Sequence, residues 1–192
     1  MAGLLKSIFL WFYRLDLPEA TFLVLAATLV FCYLNNRFSG KGWWTGAIAA
    51  MLGCVVLVIA FETVSSRSSS DVLRHNFVPF HSYREVLSGG SREIYRSNFM
   101  NVMLFYPAGL LATCLLPRKW PGWCRCLSAV LVLAALSAGI EFLQYRYALG
   151  RCEIDDTIHN TLGALLGSLG AVLMPPFLLF LKSRLPTKQN TA

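Results

Sequence analysis

The sequence predicts an all-α, polytopic integral membrane bundle: about five transmembrane helices plus a short N-terminal interfacial helix, folded as a single membrane domain over residues 1–192. Three observations predict it. The chain is 56% apolar and only 14% charged, where a soluble chain carries roughly a quarter charged residues. Its mean hydropathy is +0.55. Its apolar residues fall into blocks near the ~20-residue length of a bilayer crossing, joined by linkers too short to fold alone. Helices are the default in those blocks, because an open strand in lipid leaves backbone groups unpaired.

The elements follow in order. Residues 3–15 are a short apolar stretch carrying Lys6 and Arg14 and ended by Asp16 and Pro18. They are expected to lie along the interface. No Ala-x-Ala-like site follows, which argues against a cleaved signal peptide. The first crossing is expected over residues 20–34, with Pro18 and Asn35 at the headgroups, and the second over 43–61. The third spans 99–116, the fourth 127–149 and the fifth 157–181.

Alternation sorts the charges. One side receives Arg37, Lys41, Arg118, Lys119, Arg125, Lys182, Arg184 and Lys188, with no acidic residue. The other holds the remaining basic residues and all ten acidic ones. Short loops dense in Lys and Arg stay in the cytoplasm. The basic side and the C-terminus are therefore expected to be cytoplasmic, in the inner membrane, with the acid-bearing side facing out. The net charge of +7 reads as this topology signal plus attraction to anionic membrane lipids, not as nucleic-acid binding. Cys124 and Cys126 fall on the basic side, Cys152 on the other, and Cys32, Cys54 and Cys114 inside helices. That pattern is no disulfide framework, and Cys-Arg-Cys lacks the second pair that a zinc site needs. No metal and no cofactor is expected, and no oligomeric state is set.

The chemistry concentrates near Arg151-Cys-Glu-Ile-Asp-Asp-Thr-Ile-His-Asn160. Charges and carboxamides beside hydrocarbon lose hydration, so a cluster of them marks a place with a use. In the fourth crossing Glu141 and Gln144 are three apart and share a face, with Ser137 one turn deeper. In the fifth, Asp156, His159, Asn160, Gly163 and Gly167 form one stripe, polar at its outer end and glycine further in. In the third, Asn98 and Asn101 share a face that Phe105 continues. Three helices thus bring polar tips to one leaflet. Gly163 and Gly167, four apart, are expected to let the fifth helix pack closely on the fourth or third. The long outer loop adds Asn76-Phe-Val-Pro-Phe80 and then His81, Tyr83 and Arg84, with Pro79 pushing Val78 into an extended conformation. It is expected to fold as a lid, since Phe77, Val78 and Phe80 would otherwise sit in water. Glu141, Asp155, Asp156 and His159 are the residue types of a general acid–base pair or metal site. Arg84, Arg151 and the helix start after it suit a phosphate or carboxylate ligand. The plainer reading of each is a buried ion-pair and amide network, with Asp155 and Asp156 as helix starters.

These fragments resemble the VanZ-like membrane protein family. The matching pieces are Asn76-Phe-Val-Pro-Phe80, then Asn98-x-x-Asn101-Val-Met-Leu-Phe-Tyr-Pro-Ala-Gly109, then Ser137-x-x-x-Glu141-x-x-Gln144. After them comes Arg151-x-x-x-Asp155-Asp-x-x-x-Asn160-Thr-Leu-Gly163-x-x-x-Gly167. They occur in the family's order over residues 76–170, while residues 1–42 look like an addition. The resemblance implies a small helical membrane protein of a family whose named member is associated with resistance to teicoplanin-type lipoglycopeptides. His159 and Cys152 lie outside its pattern. Three readings follow. The first is an envelope protein that binds a lipid-linked cell-wall precursor or alters lipoglycopeptide access through the outer-leaflet polar pocket. The second is a membrane-embedded enzyme acting on a lipid head group, with Glu141 and Asp155 or Asp156 as acid and base. The third is a proton-coupled transporter using Glu141.

Overall fold

The computed structural model describes residues 17–65, 74–89 and 92–184; the expected interfacial helix over residues 3–15 lies outside them. Helix α1 (Leu17–Phe38) leads to α2 (Gly42–Ala60), which ends in one π-helical turn (Phe61–Ser65). Strand β1 (Arg74–Asn76) and the short helix α3 (His81–Leu87) precede α4 (Arg92–Leu115). Helix α5 (Gly122–Tyr147), strand β2 (Arg151–Glu153) and α6 (Ile154–Arg184) complete the order. Five of these helices are long and apolar enough to cross a membrane.

The helices outrun the apolar blocks because hydropathy marks only the hydrocarbon slab, while a helix continues into the headgroups. Thus α4 starts at Arg92, seven residues before the expected 99. Its first turns are polar. Helix α1 starts with Pro18 and Glu19 in its first turn and carries Arg37 in its last, which suits proline's preset φ and the helix dipole. Helix α5 stops two residues short of the expected 149. Ala148 adopts a left-handed conformation there (φ 50°), and Leu149 N–H closes onto the Gln144 carbonyl at 2.9 Å.

Helix α6 is the axis of the bundle, packing on α4 most closely, then on α5 and α1. Glycine sets the closeness. A Cβ on Gly163 would strike the Val102 carbonyl, one on Gly167 the Tyr106 carbonyl, and one on Gly109 the Ala164 carbonyl. The expected small-residue stripe therefore faces α4, the third crossing. Phe105, Ala108, Leu133, Ile140 and Ala164 fill the centre with Ile59 of α2. Thr28 Oγ1 donates to the Val24 carbonyl at 2.7 Å and lies 3.0 Å from the Tyr106 hydroxyl, linking α1 to α4 inside the bundle. The outer faces carry exposed Phe22, Leu57, Leu131, Val132, Phe142 and Leu173, as lipid contact requires.

Three elements are absent from the sequence reading: two strands and one short helix. The strands β1 and β2 pair in parallel, with Arg74 opposite Arg151, His75 opposite Cys152 and Asn76 opposite Glu153. Three-residue strands carry no usable alternation, and their partners lie far apart in the chain. Helix α3 occupies the segment read only as a lid; its seven residues are too few to show a helical period.

Candidate functional site

The polar end of the bundle is built outward from the first turn of α6. Asp155 is 3% exposed, and its two oxygens accept from Phe80 N–H (2.6 Å), Ser82 N–H (2.8 Å) and Ser82 Oγ (2.6 Å). Ser82 Oγ in turn accepts from Asn98 Nδ2 at 3.0 Å. Helix α3 has no cap from its own N-cap residue, so a carboxylate on another helix takes up the N–H groups left over at its start. The local chain explains the need. Val78-Pro79-Phe80-His81 closes with His81 N–H directed to the Val78 carbonyl at 3.3 Å, and proline at its second position with positive φ at its third is the type II pattern. Its third position requires φ > 0, yet it holds Phe80 at φ 60°, ψ 23°. A non-glycine residue there costs roughly 1–2 kcal/mol, and the hydrogen bonds to Asp155 offset it. Asn76 Oδ1 accepts from Val78 N–H at 3.1 Å and sets the approach to the turn.

Beneath this clamp lie the paired faces of α4, α5 and α6. Asn101 Nδ2 donates to Asp156 Oδ1 at 2.7 Å, joining α4 to α6. Asn160 Nδ2 donates to Ser137 Oγ at 2.9 Å, joining α6 to α5. Gln144 Nε2 donates to the Thr63 carbonyl at 2.8 Å, joining α5 to the π turn after α2. Thr63 lies in that final turn, where helix carbonyls are left without an intrahelical donor. His159 Nε2 lies 2.9 Å from the Tyr83 hydroxyl, so α6 also holds α3 by a ring contact. The far oxygens of Gln144 (2% exposed) and Asn160 (3% exposed) are buried with no hydrogen-bond partner among the described residues. Such groups are uncommon in native proteins and call for a water or ligand partner.

Glu141, 7% exposed, accepts from Glu153 N–H at 3.0 Å and pairs with the Cys152 thiol. Burial first, and the Glu141 carboxylate second, push the Cys152 thiol up to about 12. Only the thiolate reacts with maleimide. Cys152 is expected to be inert at pH 8 in the native protein. Glu141→Gln removes a negative neighbour, lowers that value and speeds labelling, most clearly between pH 8 and 10. Equal labelling rates for the two proteins across that range would show that Glu141 does not act on Cys152. Cys126 is buried as well, so a test of sidedness needs cysteines introduced at exposed positions rather than these two.

The residues expected to bind are thus not equivalent. Phe105 is fully buried and belongs to the core. Gly163 and Gly167 are the close-packing surface of α6. Arg84 is exposed on α3, and Arg151 is exposed with its Nη1 2.9 Å from Glu153 Oε1. Asp155 and Asp156, adjacent in sequence, face different partners. Among the described residues, no three of His, Cys, Asp and Glu are placed to hold a metal ion. Above the polar cluster, Phe77, Val78, Phe80 and Leu87 are exposed, an apolar surface on the clamped segment. Sequence reasoning misses Ser82 and Thr63. A serine in the first turn of a helix is the only signal for the former, and nothing signals the π turn that presents the latter.

The family described as VanZ/LLP1 matches residues 43–175. No curated protein and no solved structure matches the chain.

Proposed function

The chain belongs to the VanZ/LLP1 family and is a multi-pass membrane protein, and on that premise we propose that it is a binding protein of the cell envelope rather than an enzyme. Its ligand is an acylated amphiphile, either a lipid-linked cell-wall precursor or a teicoplanin-type lipoglycopeptide. It is taken up at the polar end, which faces outward from the inner membrane. One observation carries this reading: Asp155 clamps an exposed apolar segment over a buried polar cluster. A surface of that kind offers lipid-like side chains to an acyl tail. Beneath it lie the carboxamide oxygens of Gln144 and Asn160, buried and without a partner among the described residues, which a hydroxyl or amide donor would reach once the clamped segment opens. The acid–base reading is weaker on the same geometry. Asp155 accepts three hydrogen bonds, so it serves as an anchor.

The test is antibiotic susceptibility of a host with and without the gene, using an acylated glycopeptide and a counterpart lacking the acyl chain. Tolerance is expected to rise only for the acylated compound. The double variant Phe77→Ser/Leu87→Ser alters two exposed side chains and is expected to lose that effect at equal protein level. An identical response to the two compounds would remove the acyl chain from the account.

A further inference from the structure

At the opposite, basic end lies a cavity of about 240 Å³ between α1, α4, α5 and α6. That is below the roughly 300–1,000 Å³ of pockets that hold drug-sized ligands, and its walls are polar. Arg118, in the loop after α4, and Arg125, in the first turn of α5, both line it. Among the described residues neither is paired with a carboxylate, and Arg125 Nε is buried with no hydrogen-bond partner. Two guanidinium groups on one small cavity repel until an anion joins them, and planar N–H forks match phosphate oxygens. Asn35 is held in the wall, its Oδ1 accepting from Trp44 Nε1 at 3.0 Å and its Nδ2 directed at Cys114 Sγ at 3.5 Å.

The far wall supplies the opposite polarity. Pro175 and Pro176 sit inside α6, and neither has an N–H to give. The carbonyls one turn back, those of Ala171 and Val172, lose their normal donors, and both residues line the same cavity. Within a membrane a freed carbonyl needs a substitute donor. The depth is set by indoles. Trp43 and Trp44 at the start of α2, and Trp120 and Trp123 at the start of α5, gather at this end, three of them strongly exposed. Tryptophan concentrates at the headgroup level of a bilayer.

We propose that this cavity binds the headgroup of an anionic phospholipid, its phosphate on Arg118 and Arg125 and its hydroxyl groups on the carbonyls of Ala171 and Val172. The site is separate from the polar end and does not depend on what is bound there. The full chain, extracted in mild detergent and given equimolar phosphatidylglycerol and phosphatidylcholine, is the system for the test, read by native mass spectrometry. The wild type is expected to retain phosphatidylglycerol over phosphatidylcholine by about tenfold or more, about 1.4 kcal/mol, because choline sets a quaternary ammonium beside two guanidinium groups and has no hydroxyl for the freed carbonyls. Arg118→Gln/Arg125→Gln is expected to lose that preference. Arg37→Gln/Lys119→Gln removes the same charge from this end outside the cavity and is expected to keep it. Equal retention of the two lipids by the wild type, a reading that needs no variant, overturns the proposal. So does an equal loss in the control pair, which would mean diffuse surface charge. Displacement of phosphatidylglycerol by excess inorganic phosphate would overturn the lipid assignment in favour of a free phosphate.

Discussion

Replacing Gly167 by alanine will lower the unfolding temperature of the purified protein by roughly 6–12 °C, the shift that about 3 kcal/mol produces in a chain of this size. The added Cβ meets the Tyr106 carbonyl and the Leu110 backbone nitrogen. Backbone atoms cannot rotate aside as a side chain can, so the loss belongs near the top of the usual ~1–3 kcal/mol range for overpacking. The helices must separate, and separation also strains the Ser168 Oγ bond to the Gly109 carbonyl (3.2 Å) and the Asn101–Asp156 bond. Gly139 on α5 is the control. Nothing lies within 4 Å of its added Cβ, so Gly139→Ala is expected to be neutral or to gain up to ~1 kcal/mol of helix propensity. Equal unfolding temperatures for Gly167→Ala and Gly139→Ala would show that α4 and α6 are not in the contact described.

Asp155→Ala is expected to release the clamped segment while the transmembrane bundle stays folded. Three donors lose their acceptor at once: Phe80 N–H, Ser82 N–H and Ser82 O–H. Hydrogen bonds to a charged group contribute ~1.5–3 kcal/mol each. Phe80 is exposed, so water replaces part of what is lost, leaving a local loss of about 3 kcal/mol. Phe80, held at positive φ, then relaxes. Amide hydrogen exchange in residues 80–84 should speed up about a hundredfold, since each 1.4 kcal/mol is a factor of ten. Exchange in the centre of α4 should change little. Asp155→Asn keeps one acceptor oxygen and should fall between. Unchanged exchange at Phe80 and Ser82 in Asp155→Ala would mean that the turn is held by something else.

Which parts of this arrangement can be read from the sequence follows from the range of the signals. Helical period is local, so the shared faces of Asn98 with Asn101, Glu141 with Gln144, and Asp156 with Asn160 are legible from spacing alone. So are five apolar blocks, because the bilayer imposes a length. The partners of each face are another matter. Nothing in the spacing says that Gln144 meets a carbonyl of the π turn, since that turn is a departure from the regular helix on which the period depends. Asp155 is the clearest case. As the residue after Ile154 it looks like a helix starter or an acid, and its role as the cap of α3 rests on residues 75 and 73 positions away. The helix ends are misplaced for a different reason: Arg92 to Ser97 is helical but polar, and a hydropathy reading sees only what sits in hydrocarbon.

The parallel pairing of β1 with β2, together with the Asp155 clamp, has a consequence for biogenesis. Phe80 leaves the ribosome 75 residues before the side chain that will secure it. At ~5–20 residues per second that interval is roughly 4–15 s. Throughout it the segment with Phe77, Val78 and Phe80 lacks its anchor, its strand partner and the last helix. Final anchoring therefore waits on insertion of α6, and any nascent chain stalled before that point displays an untethered hydrophobic loop. Such a chain is a natural substrate for membrane quality-control proteases, and the last helix to be made is the one that fixes the loop in place.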